Sequence, residues 1–183
     1  EQRTDLRKAK ETLEQIISEM DQEVTERFKE TFHAIQGHFT AMFKQLFGGG
    51  DAELQLTEAD YLTAGIDIVV QPPGKKLQHL SLLSGGERAL TAIALLFAIL
   101  KVRSAPFVIL DEVEAALDEA NVIRYAKYLN ELSDETQFIV ITHRKGTMEF
   151  ADRLYGVTMQ ESGVTKLVSV NLNTIDDVLK EEQ

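Results

Sequence analysis

One apolar stripe runs through the first 47 residues, and it restricts the fold more than any other feature. Leu13, Ile17, Met20, Val24 and Phe28 recur at spacings of three and four, and Phe32, Ile35, Phe39, Met42 and Leu46 continue the series. That period belongs to an amphipathic α-helix. About 45 helical residues span ~68 Å, well beyond the diameter of a domain of this size. Charges of both signs fill the opposite face in the first thirty residues, whereas the second part is rich in phenylalanine. The pattern therefore predicts a polar part that projects as a coiled-coil arm and a phenylalanine-rich part that docks on a globular body. Gly37 marks the expected place for a kink. The other placement, a long helix lying across a sheet, fits less well: residues 1–5 open without a cap, as if cut from a longer helix.

Gly48-Gly49-Gly50-Asp51 ends this pattern. A glycine run invites a phosphate-loop reading, but it lacks the Gly-Lys-Ser/Thr ending, and no G-x-x-x-x-G-K-[ST] occurs anywhere in the chain. The run is read as a turn. Residues 53–58 and 66–71 then alternate and are closed by Pro72-Pro73-Gly74, the pattern of two antiparallel strands. Lys75 and Lys76 fall in a loop, 74–79, read as solvated.

After Pro106, Phe107-Val108-Ile109-Leu110 is wholly apolar and ends in Asp111-Glu112, which suits a strand buried on both faces of a parallel sheet. Asp118 can cap a helix over 119–133, and 137–142 reads as a second buried strand ending in His143-Arg144. A short helix is expected near 148–152. Residues 154–160 and 164–172 flank Glu161-Ser162-Gly163 as a hairpin, and Thr174 can cap a final short helix. The fold class is α/β, with parallel core strands, flanking antiparallel strands and a long N-terminal helix. The expected division is 1–47 as arm and docking helix, and 48–183 as the globular lobe.

The net charge of −11 argues against a chain that binds nucleic acid unaided, because affinity for phosphate backbone comes from Lys and Arg. Between residues 111 and 135 eight carboxylates face only Arg124 and Lys127; some could hold a divalent cation, and most make a solvated face. The absence of cysteine excludes disulfides and thiolate metal sites and fits a reducing compartment. With no apolar run of about 20 residues and no signal-peptide core, a cytoplasmic protein without membrane contact is expected.

Three stretches carry chemistry. In Leu83-Ser84-Gly85-Gly86-Glu87, Ser84 and Glu87 form the S-x-x-E capping box of a helix whose apolar run covers 89–100. The box does not explain two glycines in the first turn, each of which costs up to ~1 kcal/mol relative to Ala. A helix start with bare N–H groups and a serine hydroxyl suits a phosphate. The second and third stretches are the strand-end acids Asp111-Glu112 and the strand-end His143, and ligands in open α/β sheets bind beyond the carboxyl ends of strands. Together they fit phosphoryl transfer to water: Asp111 holding Mg²⁺ through water, Glu112 deprotonating the attacking water, His143 sensing the γ-phosphate. Taken singly, each has a plain structural explanation.

Leu83–Glu87 resembles the signature motif of ATP-binding-cassette (ABC) ATPases, Phe107–Glu112 their Walker B strand, Ala115-Ala116-Leu117-Asp118 the D-loop and His143 the switch histidine. Transporters of that class read Asp-Glu-Pro-Thr where this chain has Asp111-Glu112-Val113-Glu114. This departure, the signature's continuation Glu87-Arg88-Ala89-Leu90-Thr91-Ala92 and the preceding arm resemble the structural maintenance of chromosomes (SMC) family. Thr142-His143-Arg144-Lys145-Gly146-Thr147-Met148-Glu149 is similar to its bacterial and archaeal members. The resemblance implies the C-terminal half of an ABC-type ATPase head, with the phosphate loop supplied by the N-terminal half of the same head. It further implies ATP and Mg²⁺ as cofactors. Asp111, Glu112 and His143 would serve ATP bound by their own head, while Ser84, Gly85, Gly86, Glu87 and Asp118 would serve ATP in trans, from a second head. A kleisin subunit, DNA reached through the assembled complex, and a nucleoid-associated location complete the expectation. Leu167, Val168, Val170, Leu172 and Ile175 are its kleisin surface, since an exposed edge strand can accept an added element. The competing expectations are another arm-bearing ATPase of the zinc-hook or RecN repair type, and a structural module glued by ATP without hydrolysis.

Overall fold

The computed structural model describes residues 2–161 and 163–171. By internal contact the chain divides into two compact units, Glu1–Ser104 and Ala105–Gln183. The expected division after Phe47 separates by role; by contact, the second half of the long helix belongs with the strands and helix up to Ser104.

In the first unit, α1 (Gln2–Phe47) is one continuous helix of 46 residues, running through Gly37. Its two halves differ in burial. Leu6, Leu13, Ile16, Ile17, Met20 and Val24 are exposed, Leu13 at 60%, whereas Phe39, Met42, Phe43 and Leu46 are buried. This is the burial expected of an arm followed by a docking helix. Specific hydrogen bonds seat the docked half: the Thr40 hydroxyl donates to the Ala52 carbonyl (2.7 Å) and the Gln36 side chain accepts from the Leu54 amide (3.0 Å). At the boundary, Phe28 meets Phe32 and Tyr61 with ring centroids 6.1 and 5.9 Å apart.

The glycine run turns the chain, with φ values of 72°, 137° and 84°. At Gly50 the requirement is absolute, because a Cβ there would lie 2.2 Å from the Gln71 carbonyl oxygen. Strands β1 (Asp51–Leu56) and β2 (Ile66–Gln71) pair antiparallel from Asp51↔Gln71 to Leu56↔Ile66. A two-residue strand, β3 (Gln78–His79), unforeseen in the sequence, adds to β2. A 3-10 turn over Leu80–Leu82 leads into α2 (Gly85–Val102), whose Leu90, Ile93, Ala94, Phe97 and Ala98 are buried. Thr91, the polar break in that run, is buried too, with its hydroxyl on the Glu87 carbonyl (2.7 Å).

In the second unit, β4 (Phe107–Asp111) and β5 (Gln137–Ile141) pair in parallel, in register from Phe107↔Gln137 to Asp111↔Ile141. Between them runs α3 (Glu119–Leu132), buried along Val122, Tyr125, Ala126, Tyr128, Leu129 and Leu132. The expectation that β4 and β5 are buried on both faces is not met. Leu110 is buried and Val108, Phe138 and Val140 half-buried, but on the other face Phe107 is 56% and Ile109 59% exposed, beside exposed Ile139 and Ile141. An apolar run shows that both faces seek cover, not that the same chain provides it. The short helix begins earlier than expected, as α4 (Lys145–Met148), and its first turn is fixed by contacts distant in sequence. The hairpin β6 (Arg153–Glu161) and β7 (Val164–Asn171) is present, with an irregularity between Met159 and Glu161. The expected helix capped by Thr174 lies outside the described residues.

Candidate functional site

In the first unit the start of α2 is a closed network. Ser84 takes extended backbone angles as the cap. Its hydroxyl accepts from the Glu87 amide (3.4 Å) and donates to Glu87 Oε2 (2.7 Å), and its own amide donates to the same oxygen (3.1 Å). Lys75, from the loop read as solvated, completes the arrangement with Nζ 2.8 Å from Glu87 Oε1 and 3.0 Å from Oε2. The Lys75 ammonium, and after it the Ser84 hydroxyl, hold the Glu87 carboxyl below its ordinary value of 4.5. Arg88 reaches back to the Leu83 carbonyl (3.2 Å), fixing the approach to the cap. Glu87 therefore orders the cap from behind. Ser84, Gly85 and Gly86 form the free start of an 18-residue helix, where a side chain at Gly85 would meet nothing within 4 Å.

In the second unit β4 and β5 end side by side, and the parallel register puts the residues after both strands at one edge. There the structure brings Glu112 and His143 together, with His143 Nδ1 3.4 Å from Glu112 Oε1 and both side chains more than half exposed. Glu112 sits at φ 48°, alone among the described non-glycine residues in having a positive φ, and its amide donates to the Ile141 carbonyl (3.0 Å). A left-handed residue with a side chain costs ~1–2 kcal/mol. Such strain is held where the surrounding structure over-determines it, commonly at functional sites. Asp111 is the exposed last residue of β4. Among the described residues no group of three or more His, Asp or Glu could hold a metal ion. A single strand-end carboxylate suits a cation that arrives with phosphate oxygens and keeps part of its water, the habit of Mg²⁺.

Asp118 caps α3, accepting from the Asn121 amide (2.9 Å). Sequence reasoning missed a cluster beside these residues. Glu114, counted among the solvated acids, is fully buried. Its Oε1 accepts from the Thr142 and Thr147 hydroxyls, the latter at 3.0 Å, and its Oε2 has no hydrogen-bond partner among the described residues. Arg144 donates to the Leu117 carbonyl (2.8 Å), one residue before Asp118. A wholly apolar neighbourhood at 115–117 was the one available hint that Glu114 faces inward. On β7, Leu167, Val168 and Val170 are exposed; Leu172 and Ile175 lie outside the described residues.

Residues 6–166 match the family described as RecF/RecN/SMC N terminal domain, and the chain belongs to that family. It is similar to the Chromosome partition protein Smc of Bacillus subtilis (strain 168), 68% identical over 173 residues, which cover 94% of this chain and 15% of that protein. The chain thus spans about 15% of the length of the curated relatives it matches. Its fold is that of SMC head domains. The Pyrococcus furiosus Smc head domain with an extended coiled coil, bound to the C-terminal domain of ScpA, superposes with a TM-score of 0.86 at 42% identity, covering 98% of this chain and 45% of that one. A chain solved in work on the "structural biochemistry of ATP-driven dimerization and DNA stimulated activation of SMC ATPases" gives a TM-score of 0.74 at 42% identity, covering 86% of this chain and 96% of that one. That chain is therefore nearly coextensive with this one. Among the described residues no helix is long and apolar enough to cross a membrane.

Proposed function

We propose that this chain is the C-terminal half of an SMC ATPase head, which hydrolyses ATP once joined to an N-terminal half carrying the phosphate loop and paired with a second head. The observation that carries this reading is the Glu112–His143 contact at the shared end of two parallel strands, in a chain that contains no phosphate loop of its own. The bare stripe Phe107, Ile109, Ile139 and Ile141 supports a missing partner for the sheet, since exposed apolar patches of this kind mark interfaces.

In this reading Glu112 accepts the proton of the attacking water and His143 faces the phosphate end of the nucleotide. Asp111 would hold Mg²⁺ through water, and the ion supplies charge neutralisation at the β- and γ-phosphates. The start of α2 binds in trans: Ser84, Gly85 and Gly86 present a hydroxyl and free amides to the γ-phosphate held by the opposite head, while Glu87 keeps Ser84 in place. Asp118 lies at the same head–head interface. ATP between two heads glues them until Glu112 acts, and the cycle drives chromosome segregation from a cytoplasmic, nucleoid-associated complex.

The ScpA domain bound to the Pyrococcus furiosus head supports a kleisin partner here, and the exposed β7 residues Leu167, Val168 and Val170 are its proposed seat. The DNA-stimulated activation named for the solved SMC ATPases supports DNA as a partner of the whole assembly. The matched relatives are named as chromosome partition proteins, which favours this reading over a repair ATPase. An acid at the position of Glu112 favours hydrolysis over mere glue. The test of the trans role is Ser84→Arg in the complete head: nucleotide binding by a single head stays within about twofold, while ATP-dependent pairing is lost. Equal loss of both would contradict it.

A further inference from the structure

Glu114 takes no part in the proposed hydrolysis steps, yet its carboxylate is fully buried. One of the carboxylate oxygens has no hydrogen-bond partner among the described residues. Burying a carboxyl group incompletely satisfied is expensive, so its location calls for a reason. Simple packing is a poor one, since an apolar residue of similar size would fill the space at lower cost.

Its contacts give the reason. Glu114 stands two residues after Glu112, and Oε1 receives the hydroxyls of Thr142 and Thr147. Thr142 immediately precedes His143, and its hydroxyl also accepts from the Arg144 amide (3.0 Å). One oxygen thus grips the chain on both sides of His143. Thr147 and Gly146 lie in α4, which sits close on α3: a Cβ at Gly146 would be 3.0 Å from Glu119 Oε1 and 3.2 Å from Val122 Cγ1. Arg144 closes the circuit, donating to the Leu117 carbonyl (2.8 Å) and lying 3.6 Å from Glu119 Oε2. The segments 112–119 and 142–147 are therefore tied by four contacts besides Glu112–His143. Two side chains of the first segment, Glu112 and Asp118, and one of the second, His143, are those assigned to nucleotide.

We propose that Glu114 is a positioning residue for ATP hydrolysis: through Thr142 and Thr147 it fixes the backbone around His143 so that the imidazole stays against Glu112, and with Arg144 it keeps that pair in step with Asp118. This inference rests on the ATPase reading of Glu112 and His143. The weak point of the pair shows why it needs support. A 3.4 Å contact between two side chains more than half exposed holds neither of them in one rotamer against solvent, and misplacement by about 1 Å can cost ~10²-fold in rate. The firmer element is the fully buried Glu114 carboxylate, which holds Thr142 and Thr147 behind the pair.

The test uses the full protein, containing both halves of each head, and measures steady-state ATP turnover and ATP-dependent head pairing. Thr142→Val, nearly isosteric with the native residue, is expected to lower kcat at least tenfold with KM within about twofold and pairing retained. Thr142→Ser, which keeps the hydroxyl, is expected to restore most of kcat. Glu114→Gln keeps an acceptor oxygen and is expected to fall between them; it also serves if Thr142→Val lowers the melting temperature. The decisive comparison is a double-mutant cycle. In a His143→Ala background, Thr142→Val should change kcat less than twofold, because Thr142 acts through His143. A full tenfold loss in that background, or Thr142→Ser no better than Thr142→Val, would overturn the proposal while leaving the ATPase reading intact. A wild-type protein without ATP turnover would instead overturn the ATPase reading, and this inference with it.

Discussion

Ser84 and Glu112 both stand at the end of a regular element, and the two ends are finished in opposite ways. At the start of α2 the side chains already have partners within their own unit, the Ser84 hydroxyl with Glu87 and Glu87 with Lys75. The first-turn glycines rest on a helix whose apolar side is buried. At the ends of β4 and β5 the chain is strained at Glu112, its contact with His143 is loose, and the sheet's outer face bares Phe107, Ile109, Ile139 and Ile141. The first end is complete and offers a preformed surface to something brought to it. The second is strained and bare, and it is where the proposed reading seats another polypeptide. In the proposed reading the two ends are halves of two different sites, one serving the head's own nucleotide and one its neighbour's.

The comparison can be broken most forcefully at Glu112. In the completed and paired head, Glu112→Gln removes the base and is expected to lower turnover by ~10²–10⁴-fold while ATP-dependent pairing persists. Turnover assays and sizing of the paired species, run on the same preparation, check it. Normal turnover would move the chemistry elsewhere and leave the strained φ without a functional explanation.

A second effect, smaller in rate but sharper on incompleteness, concerns the bare sheet face. Ile109→Lys puts a charge where the side chain is already exposed. The isolated chain should change by no more than ~1 kcal/mol in urea denaturation. Assembly with the complementary half should weaken at least tenfold in a titration of one half with the other. Unchanged assembly would mean that this face is not the joint.

The closed end should show the smallest effect. Glu87 is held below its ordinary value of 4.5 by Lys75 and Ser84. A lowered carboxyl contributes stability that is fully present above its unfolded-state value and lost as pH falls through the folded-state value. Lys75→Met should therefore destabilise the chain at neutral pH by under ~1 kcal/mol, since Lys75 is half exposed and screened. The difference from wild type should shrink as pH falls below 4.5, in melting curves at low salt. A difference that grows on acidification would show that Lys75 acts by another route.

How far the sequence discloses such a molecule depends on the range of the interactions. The helix of 46 residues, the capping box and the glycine turn are written in spacings of three, four or in single residues, and all were legible. So was the change in burial along α1, because aliphatic residues give way to phenylalanine along the stripe. What escaped was settled by contacts across long stretches of chain. Lys75 reads as a loop cation until the fold brings it to Glu87, 12 residues on. Glu114 reads as one more acid in an acidic stretch, since its threonine partners lie 28 and 33 residues away. The start of α4 shifted for the same reason: Arg144 is held by the Leu117 carbonyl, 27 residues back, and Thr147 by Glu114, 33 residues back. The expected burial of β4 on both faces failed because an apolar run does not say whether the same chain covers it, and here one face is bare. Asp111, Glu112, His143 and Ser84 were picked out by their places at strand ends and a helix start, and motif resemblance divided them between two heads; the structure adds that the acid and the histidine meet.

The central claim, that this chain is half of an ATPase, is tested most directly by mixing it with an N-terminal half carrying the phosphate loop and measuring phosphate release. Neither half alone should turn over ATP, and turnover in the mixture should rise faster than linearly with concentration as heads pair. Sustained turnover by this chain alone, or a stable mixed head that binds ATP and pairs yet never releases phosphate, would contradict it.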